Sequence, residues 1–344
     1  MSHFGRVVDL EDGVAMVVTD LHGDWGAYRR YRDHFLTLQD HGQADTLILC
    51  GDLIHFTGPA AQDKSLEMVL DVLALREELG DRLIYLLGNH EIPHLYGMTL
   101  RKGDTLFTPR FEWAMGEHRS RILALFDSLP FFVRTPAGVT VCHAGATDAF
   151  GWPDGPARLF QYSHKKVWQE TAASLPSEMR PRLRRLLSRQ YGRSYDDIVR
   201  EYLAVPSRDD PRYDDFLIGT AVAAHPDFEL LWSALFTRNE YQFGRSGYRA
   251  VVRTMLQALS REYHPQSVLV SGHIDCEHGF HLVNSRHLRI ASAKNAHPRE
   301  SGCFLLLDCR KPVKQAGELL GKLGTVFKAG SHPAAISQSR PESH

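Results

Sequence analysis

The chain has 344 residues, 43% of them hydrophobic and 24% charged, an ordinary globular composition long enough for one α/β domain carrying an insertion. With 40 basic and 41 acidic side chains the formal net charge is -1, so there is no basic excess to serve nucleic acid or an acidic membrane surface. An anionic ligand would have to be attracted by local charge.

The apolar run GVAMVVTD (13–20) is followed by the helical pattern WGAYRRYRDHFLTL, and TLILCGD (46–52) by KSLEMVLDVLALREEL. RLIYLLGNHE (82–91) and GVTVCHAG (138–145) follow. The lengths and Val/Ile/Leu content of these runs suit buried strands. Their alternation with helical patterns predicts a layered α/β fold with a sheet at its centre. Residues 151–225 have a different texture: KKVWQETAASL, EMRPRLRRLLSRQY and YDDIVREYLAV are polar and helix-like, without a strand-like run. They read as a helical insertion or cap. SVLVSGH (267–273), HLRIASA (287–293) and CFLLLD (303–308) follow with short links, as expected of adjacent strands in a second sheet. One domain is therefore expected over 1–328, with 329–344 a Pro/Ser-rich disordered tail.

The five cysteines, Cys50, Cys142, Cys276, Cys303 and Cys309, form no CxxC pair. The start, MSHFGRVVDLEDG, lacks a basic-then-apolar signal pattern, and no apolar run is long enough to span a bilayer. A reducing cytoplasm is the expected home, with Cys50 and Cys142 as small buried hydrophobes. The sequence sets no oligomeric state.

Most strand-like runs end in a polar cluster. TDLHGD offers Asp20 and His22, a carboxylate and an imidazole sent to one side of the backbone, a set that suits a borderline transition metal. CGD offers Asp52, whose two oxygens can bridge two cations. GNHE offers the neutral oxygen of Asn89 and, in His90, a histidine able to act as an acid. CHAG and SGH offer His143 and His273. Each has an ordinary reading alone: a helix N-cap aspartate, a Gly-Asp turn, a satisfied buried histidine. Together they fall at the C-terminal ends of predicted strands, where open α/β sheets place ligand sites, and they could form two adjoining metal sites sharing Asp52.

This series resembles the calcineurin-like metallophosphoesterases. ELLWSALF (229–236), FGRSGYRAVVRTMLQAL (243–259) and RIASAKNAHPRESGCFLLLD (289–308) are similar to segments of that superfamily's phosphoprotein phosphatase branch, the Ser/Thr protein phosphatases. The chain looks like an atypical bacterial-type member, matching over about 14–145 and 228–309. The resemblance implies a β-sandwich flanked by helices in four αββα layers. It implies two divalent or trivalent transition-metal ions (manganese, iron or zinc), one held by Asp20, His22 and Asp52 and the other by Asp52, Asn89, His143 and His273. A hydroxide between them would attack phosphorus in line, with His90 as acid for the leaving alkoxide and Asp52 as the other catalytic residue.

The chain departs from that pattern where the family reads GDxVDRG. Here the run is GDLIHFTG, so His55 and Phe56 replace the Asp that orients the acidic histidine and the Arg that grips phosphate. His90 then needs another orienting partner, Glu91 or His55. Substrate contacts would come from Asn89 and from Arg238 or Arg245. Arg180, Arg182, Arg184, Arg185, Arg189 and Arg193 of the insertion form either a basic lid or a solvated helix face. The expected activity is hydrolysis of a phosphate monoester, on a phosphorylated protein or a small phosphoester. The alternatives are a nucleotide phosphohydrolase resembling diadenosine tetraphosphatases and a catalytically weakened phosphate-binding module. A membrane partner is not expected, and neither is nucleic acid.

Overall fold

Strand Val14–Val18 shows how the layers arise. Successive side chains of a strand point to opposite faces. Met16 and Val18 accordingly join one apolar cluster, while Ala15 and Val17 join another. Strand Thr46–Leu49 divides in the same way, Leu47 and Leu49 against Ile48. Strand Val139–Cys142 sends Val139 and Val141 to the second cluster and Cys142 to the first. The molecule is a computed structural model, and it describes residues 5–102, 105–236 and 239–327. The expected tail, 329–344, lies outside them.

Two sheets carry the fold. In the five-stranded sheet the order is Leu323–Gly324, Phe304–Asp308, Val14–Val18, Thr46–Leu49, Leu83–Tyr85. In the six-stranded sheet it is Val7–Asp9, Phe132–Arg134, Val139–Cys142, Val268–Ser271, His287–Ile290, Phe280–Asn284. The second cluster draws Ala15, Val17 and Ile48 from one sheet and Val133, Val141 and Val270 from the other, so it is the interior of a β-sandwich. The outer faces are covered by helices. Met16 and Val18 share a cluster with Tyr28, Tyr31 and Phe35 of helix Trp25–Asp40 and with Val69 and Val72 of helix Ser65–Leu79. Phe132 and Leu269 share it with Val252, Leu256 and Leu259 of helix Asn239–Leu259, which kinks at Gly244. This is the expected four-layer αββα arrangement.

One strand pairs differently from the expectation. Val268–Ser271 and His287–Ile290 are parallel neighbours in the six-stranded sheet, but Phe304–Asp308 returns to the other sheet and runs antiparallel to Val14–Val18. Apolar alternation specifies which face of a strand is buried, not which strand lies beside it.

Residues 155–222 contain helices Gly155–Phe160, His164–Ala173, Arg180–Tyr191, Tyr195–Leu203 and Asp215–Val222. All five cysteines are buried and unpaired. No helix of the described residues is long and apolar enough to cross a membrane. Ile48 is fully buried between the sheets. Ile48→Ala should cost about 2–5 kcal/mol in urea unfolding followed by circular dichroism, and a loss below about 1 kcal/mol would contradict a packed inter-sheet layer.

Candidate active site

The polar clusters follow strands of both sheets. Asp20 and His22 follow Val14–Val18, Asp52 follows Thr46–Leu49 and Asn89 follows Leu83–Tyr85, all from the five-stranded sheet. His143 and His273 follow Val139–Cys142 and Val268–Ser271 of the six-stranded sheet. The loops approach so closely that glycine is required. A Cβ on Gly88 would lie 2.3 Å from Asp52 Oδ1, and one on Gly272 would lie 2.3 Å from Asp20 Oδ2. His22, Asp52, His55 and His273, four of the seven non-glycine residues with positive φ among the described residues, lie in these loops.

Asp20 is fully buried and is not a helix cap, because Asp24 caps helix Trp25–Asp40 by accepting from the Ala27 amide. Asp20 Oδ2 accepts from the His273 amide at 2.8 Å, while Oδ1 is buried with no hydrogen-bond partner among the described residues. Asp52 Oδ1 accepts from the His90 amide at 2.9 Å. Its Oδ2 lies 3.4 Å from His143 Nε2, 3.8 Å from His22 Nε2 and 3.9 Å from His90 Nε2.

The histidines are oriented from behind. His143 Nδ1 donates to the Cys50 carbonyl at 2.6 Å, and His22 Nδ1 to the Ile54 carbonyl at 3.2 Å. Their Nε2 atoms therefore face inward. His143 Nε2 meets Asn89 Oδ1 and His273 Nδ1, each at 3.1 Å. Burial, reinforced by Asp52, pushes the Asp20 carboxyl up to about 7 against the pull of His143. Burial draws the His143 imidazolium down, but Asp52 and Asp20 outweigh it and raise the group to about 10. Burial, with His143 beside it, holds His273 down to about 3. Buried lone pairs and carboxylates converging in this way are repulsive unless positive charge lies among them. Asp20, Asp52, His143 and His273 each present a ligand atom within 4.8 Å of the others, and so do His22, Asp52 and His90. The orphaned Asp20 oxygen and the mixed N/O donor set fit a metal-ion site.

Glu91 does not orient His90. Its carboxylate accepts from the amides of Asp52, Leu53 and Gly88, each at 3.0 Å, and from the Tyr85 hydroxyl at 2.8 Å. Burial and the neighbouring Asp52 raise its carboxyl to about 7, yet all four partners donate to it. It clamps the loop that carries Asp52 to the loop that carries Asn89. His55 is the partner of His90, with the two Nδ1 atoms 2.9 Å apart.

These residues open on a cleft of about 380 Å³ lined by His22, Asp52, Asn89, His90, His273 and Asp275. Two cations line it that sequence reasoning missed, Arg101 and Lys294. Lys294 Nζ donates to Thr57 Oγ1. Arg245 is exposed on helix Asn239–Leu259 and is not among the lining residues, and Arg238 lies outside the described residues. The six insertion arginines do not line the cleft either. Arg180 and Arg184 pair with Asp214 at 3.1 and 2.7 Å, and Arg193 pairs with Glu201, so these three serve the packing of the cap. Only neighbours in space distinguish Arg101 and Lys294 from the chain's other cations.

A β-sandwich with carboxylates and imidazoles converging from the strand ends of both sheets defines the metal-dependent phosphoesterase class. The chain belongs to the calcineurin-like phosphoesterases, whose family model matches residues 14–276, well over half of it. No curated protein matches the chain. Among solved structures, it resembles a protein serine/threonine phosphatase from Saccharomyces cerevisiae with similarity to human phosphatase PP5. The identity is 15%, the TM-score 0.51, and the match covers 95% of this chain and 85% of that one. A cold-active protein tyrosine phosphatase gives 13% identity, coverage of 88% and 75%, and a TM-score of 0.49. A cold-active protein-tyrosine phosphatase of a psychrophilic Shewanella species gives 15%, 89% and 78%, with a TM-score of 0.42.

Glu91→Gln places an amide N–H₂ against at least one backbone N–H, which can only donate, whichever way the amide turns. It should destabilise the metal-free protein by about 2–3 kcal/mol in denaturant unfolding. A change under about 0.5 kcal/mol would show that the four hydrogen bonds do not hold the loops.

Proposed function

We propose that the chain hydrolyses phosphate monoesters at a dinuclear metal site, with Asp20, His22 and Asp52 holding one ion and Asp52, Asn89, His143 and His273 the other. The observation that carries this reading is Asp52 Oδ2, buried between His22 Nε2 at 3.8 Å and His143 Nε2 at 3.4 Å. A carboxylate so placed suits the shared position. Manganese, iron and zinc all suit the donor set. When bound, such ions offset phosphoryl charge and make a water nucleophilic near neutral pH.

The remaining work falls to side chains of the cleft. His90 lines it and holds its Nε2 near Asp52, a position from which an N–H can reach a leaving oxygen; we assign it the role of general acid. Arg101 and Lys294 supply the positive charge that the family's missing arginine would have brought, the part expected of Arg245, which does not line the cleft. Asn89 lies where it can contact a phosphoryl oxygen as well as an ion. ELLWSALF, which spans the end of helix Pro226–Leu235 and its cap Phe236, and the segment around Lys294 support a substrate of the phosphoprotein type. The five unpaired cysteines are consistent with a reducing cytoplasm.

Metal-replete protein should contain about two ions per chain by elemental analysis and turn over p-nitrophenyl phosphate and phosphopeptides. Asp52→Asn should lose metal from both positions and activity with it. Faster turnover of dinucleoside polyphosphates than of phosphopeptides would move the substrate to the nucleotide class. No turnover of any ester at full metal loading would leave a phosphate-binding module.

His90→Ala should keep its metal and slow a phosphoserine peptide about 100-fold, while p-nitrophenyl phosphate, whose leaving group needs no proton, changes little. Equal slowing of both esters would remove His90 as the acid.

A further inference from the structure

A line of hydrogen bonds runs from His90 into the protein. Beyond the His90–His55 contact, His55 Nε2 meets His94 Nε2 at 2.8 Å. His94 Nδ1 meets Glu112 Oε1 at 2.7 Å, and Arg119 Nε donates to Glu112 Oε2 at 3.1 Å. His55, His94 and Glu112 are each only 1–2% exposed. Phenylalanines fix the rings: His55 stacks on Phe107 at 5.6 Å, and Phe111 meets both His55 and His94 edge to face. Hydrogen bonds in such dry surroundings are strong, and a mismatched one is costly.

Each of the three contacts among His90, His55, His94 and Glu112 holds one proton, since two protons clash and none leaves lone pairs facing each other. Burial would raise Glu112, but His94 and Arg119 hold it below the usual carboxylate range, so it ends the line as an acceptor only. His94 must then carry its proton on Nδ1. A neutral His94 has a bare Nε2, so His55 donates from Nε2. Burial, with His94 and His90 adding to it, keeps His55 well below the ordinary histidine range and hence neutral, with Nδ1 bare. His90 is left to donate from its own Nδ1, and its Nε2 remains for the cleft.

We infer that Glu112, three hydrogen bonds away, sets the tautomer of His90 through His94 and His55, as a positioning residue for proton transfer to the leaving group. The inference rests on the reading of His90 as general acid. As the bond from phosphorus to the leaving oxygen breaks, its electron pair stays on that oxygen, which takes the Nε2 proton. His90 is left neutral with Nδ1–H, the state the line already holds. Before the transfer His90 is the imidazolium, with its second proton on Nε2 and its Nδ1–H still donated to His55. The line thus does for this chain what a directly bonded carboxylate does elsewhere, with His55 occupying the place of the aspartate.

Glu112→Gln tests this without removing a contact. Arg119 needs an acceptor, so the amide oxygen turns to it, and the N–H₂ donates to His94 Nδ1 and reverses every bond of the line. In metal-loaded Glu112→Gln, kcat on a phosphoserine peptide should fall about 10–100-fold with KM unchanged, while p-nitrophenyl phosphate stays within about threefold. In a His90→Ala background the same change should add nothing. A selective loss in His90→Ala without one in Glu112→Gln overturns the relay and leaves the acid intact. No selective loss in His90→Ala overturns the acid itself. Nitrogen-15 spectra of the zinc-loaded native protein read the tautomers directly, whatever the variant's stability. His94 should show a protonated Nδ1 and His55 a protonated Nε2, and the opposite pattern overturns the inference.

Discussion

The burial of two carboxylates, Asp20 and Asp52, where two sheets meet is the constraint on which the rest of the site depends. An ionised carboxylate taken out of water costs several kcal/mol unless other groups replace the lost hydration. Here the replacement is partial. Each aspartate accepts one backbone N–H on one oxygen, and the other oxygen of Asp52 turns toward the imidazoles. Asp20 Oδ1 has no hydrogen-bond partner among the described residues, and His143 rises to about 10 beside the two anions. The protein supplies negative charge and lone pairs in excess of donors, and the natural complement is a multivalent cation.

Holding such a set together requires stiff loops. Glu91 provides this by collecting three backbone amides and a tyrosine hydroxyl from the segments around Asp52 and Gly88. Glycines at 88 and 272 let neighbouring loops approach to distances no Cβ would permit. The backbone strain at His22, Asp52, His55 and His273 is concentrated in the same place. It persists because the surrounding sandwich over-determines those loops.

The resemblance implies an Asp-Arg pair where this chain has His55 and Phe56, and in our proposal its two roles are met from different parts of the chain. The orienting carboxylate withdraws to Glu112 on helix Thr108–Met115, and two histidines carry its influence back. Arg101 and Lys294 bring positive charge to the cleft. The insertion, rich in arginine, turns part of that charge onto its own acids, Asp214 and Glu201.

Strand periodicity, and the clusters closing each strand, were legible in the sequence because both depend on local order along the chain. Val14–Val18 alternates between two apolar faces, and TDLHGD, CGD, GNHE, CHAG and SGH sit at strand ends whatever the strands' neighbours are. Tertiary structure alone decided which strand lies beside which, and so returned Phe304–Asp308 to the sheet of Val14–Val18. It alone brought His94 against His55, set Glu112, 18 residues further on, against His94, and placed Lys294 rather than Arg245 at the cleft. The physical reason is that a charge or a ring acts through its neighbours in space, and for a single histidine or lysine no periodicity in the sequence records who those neighbours are.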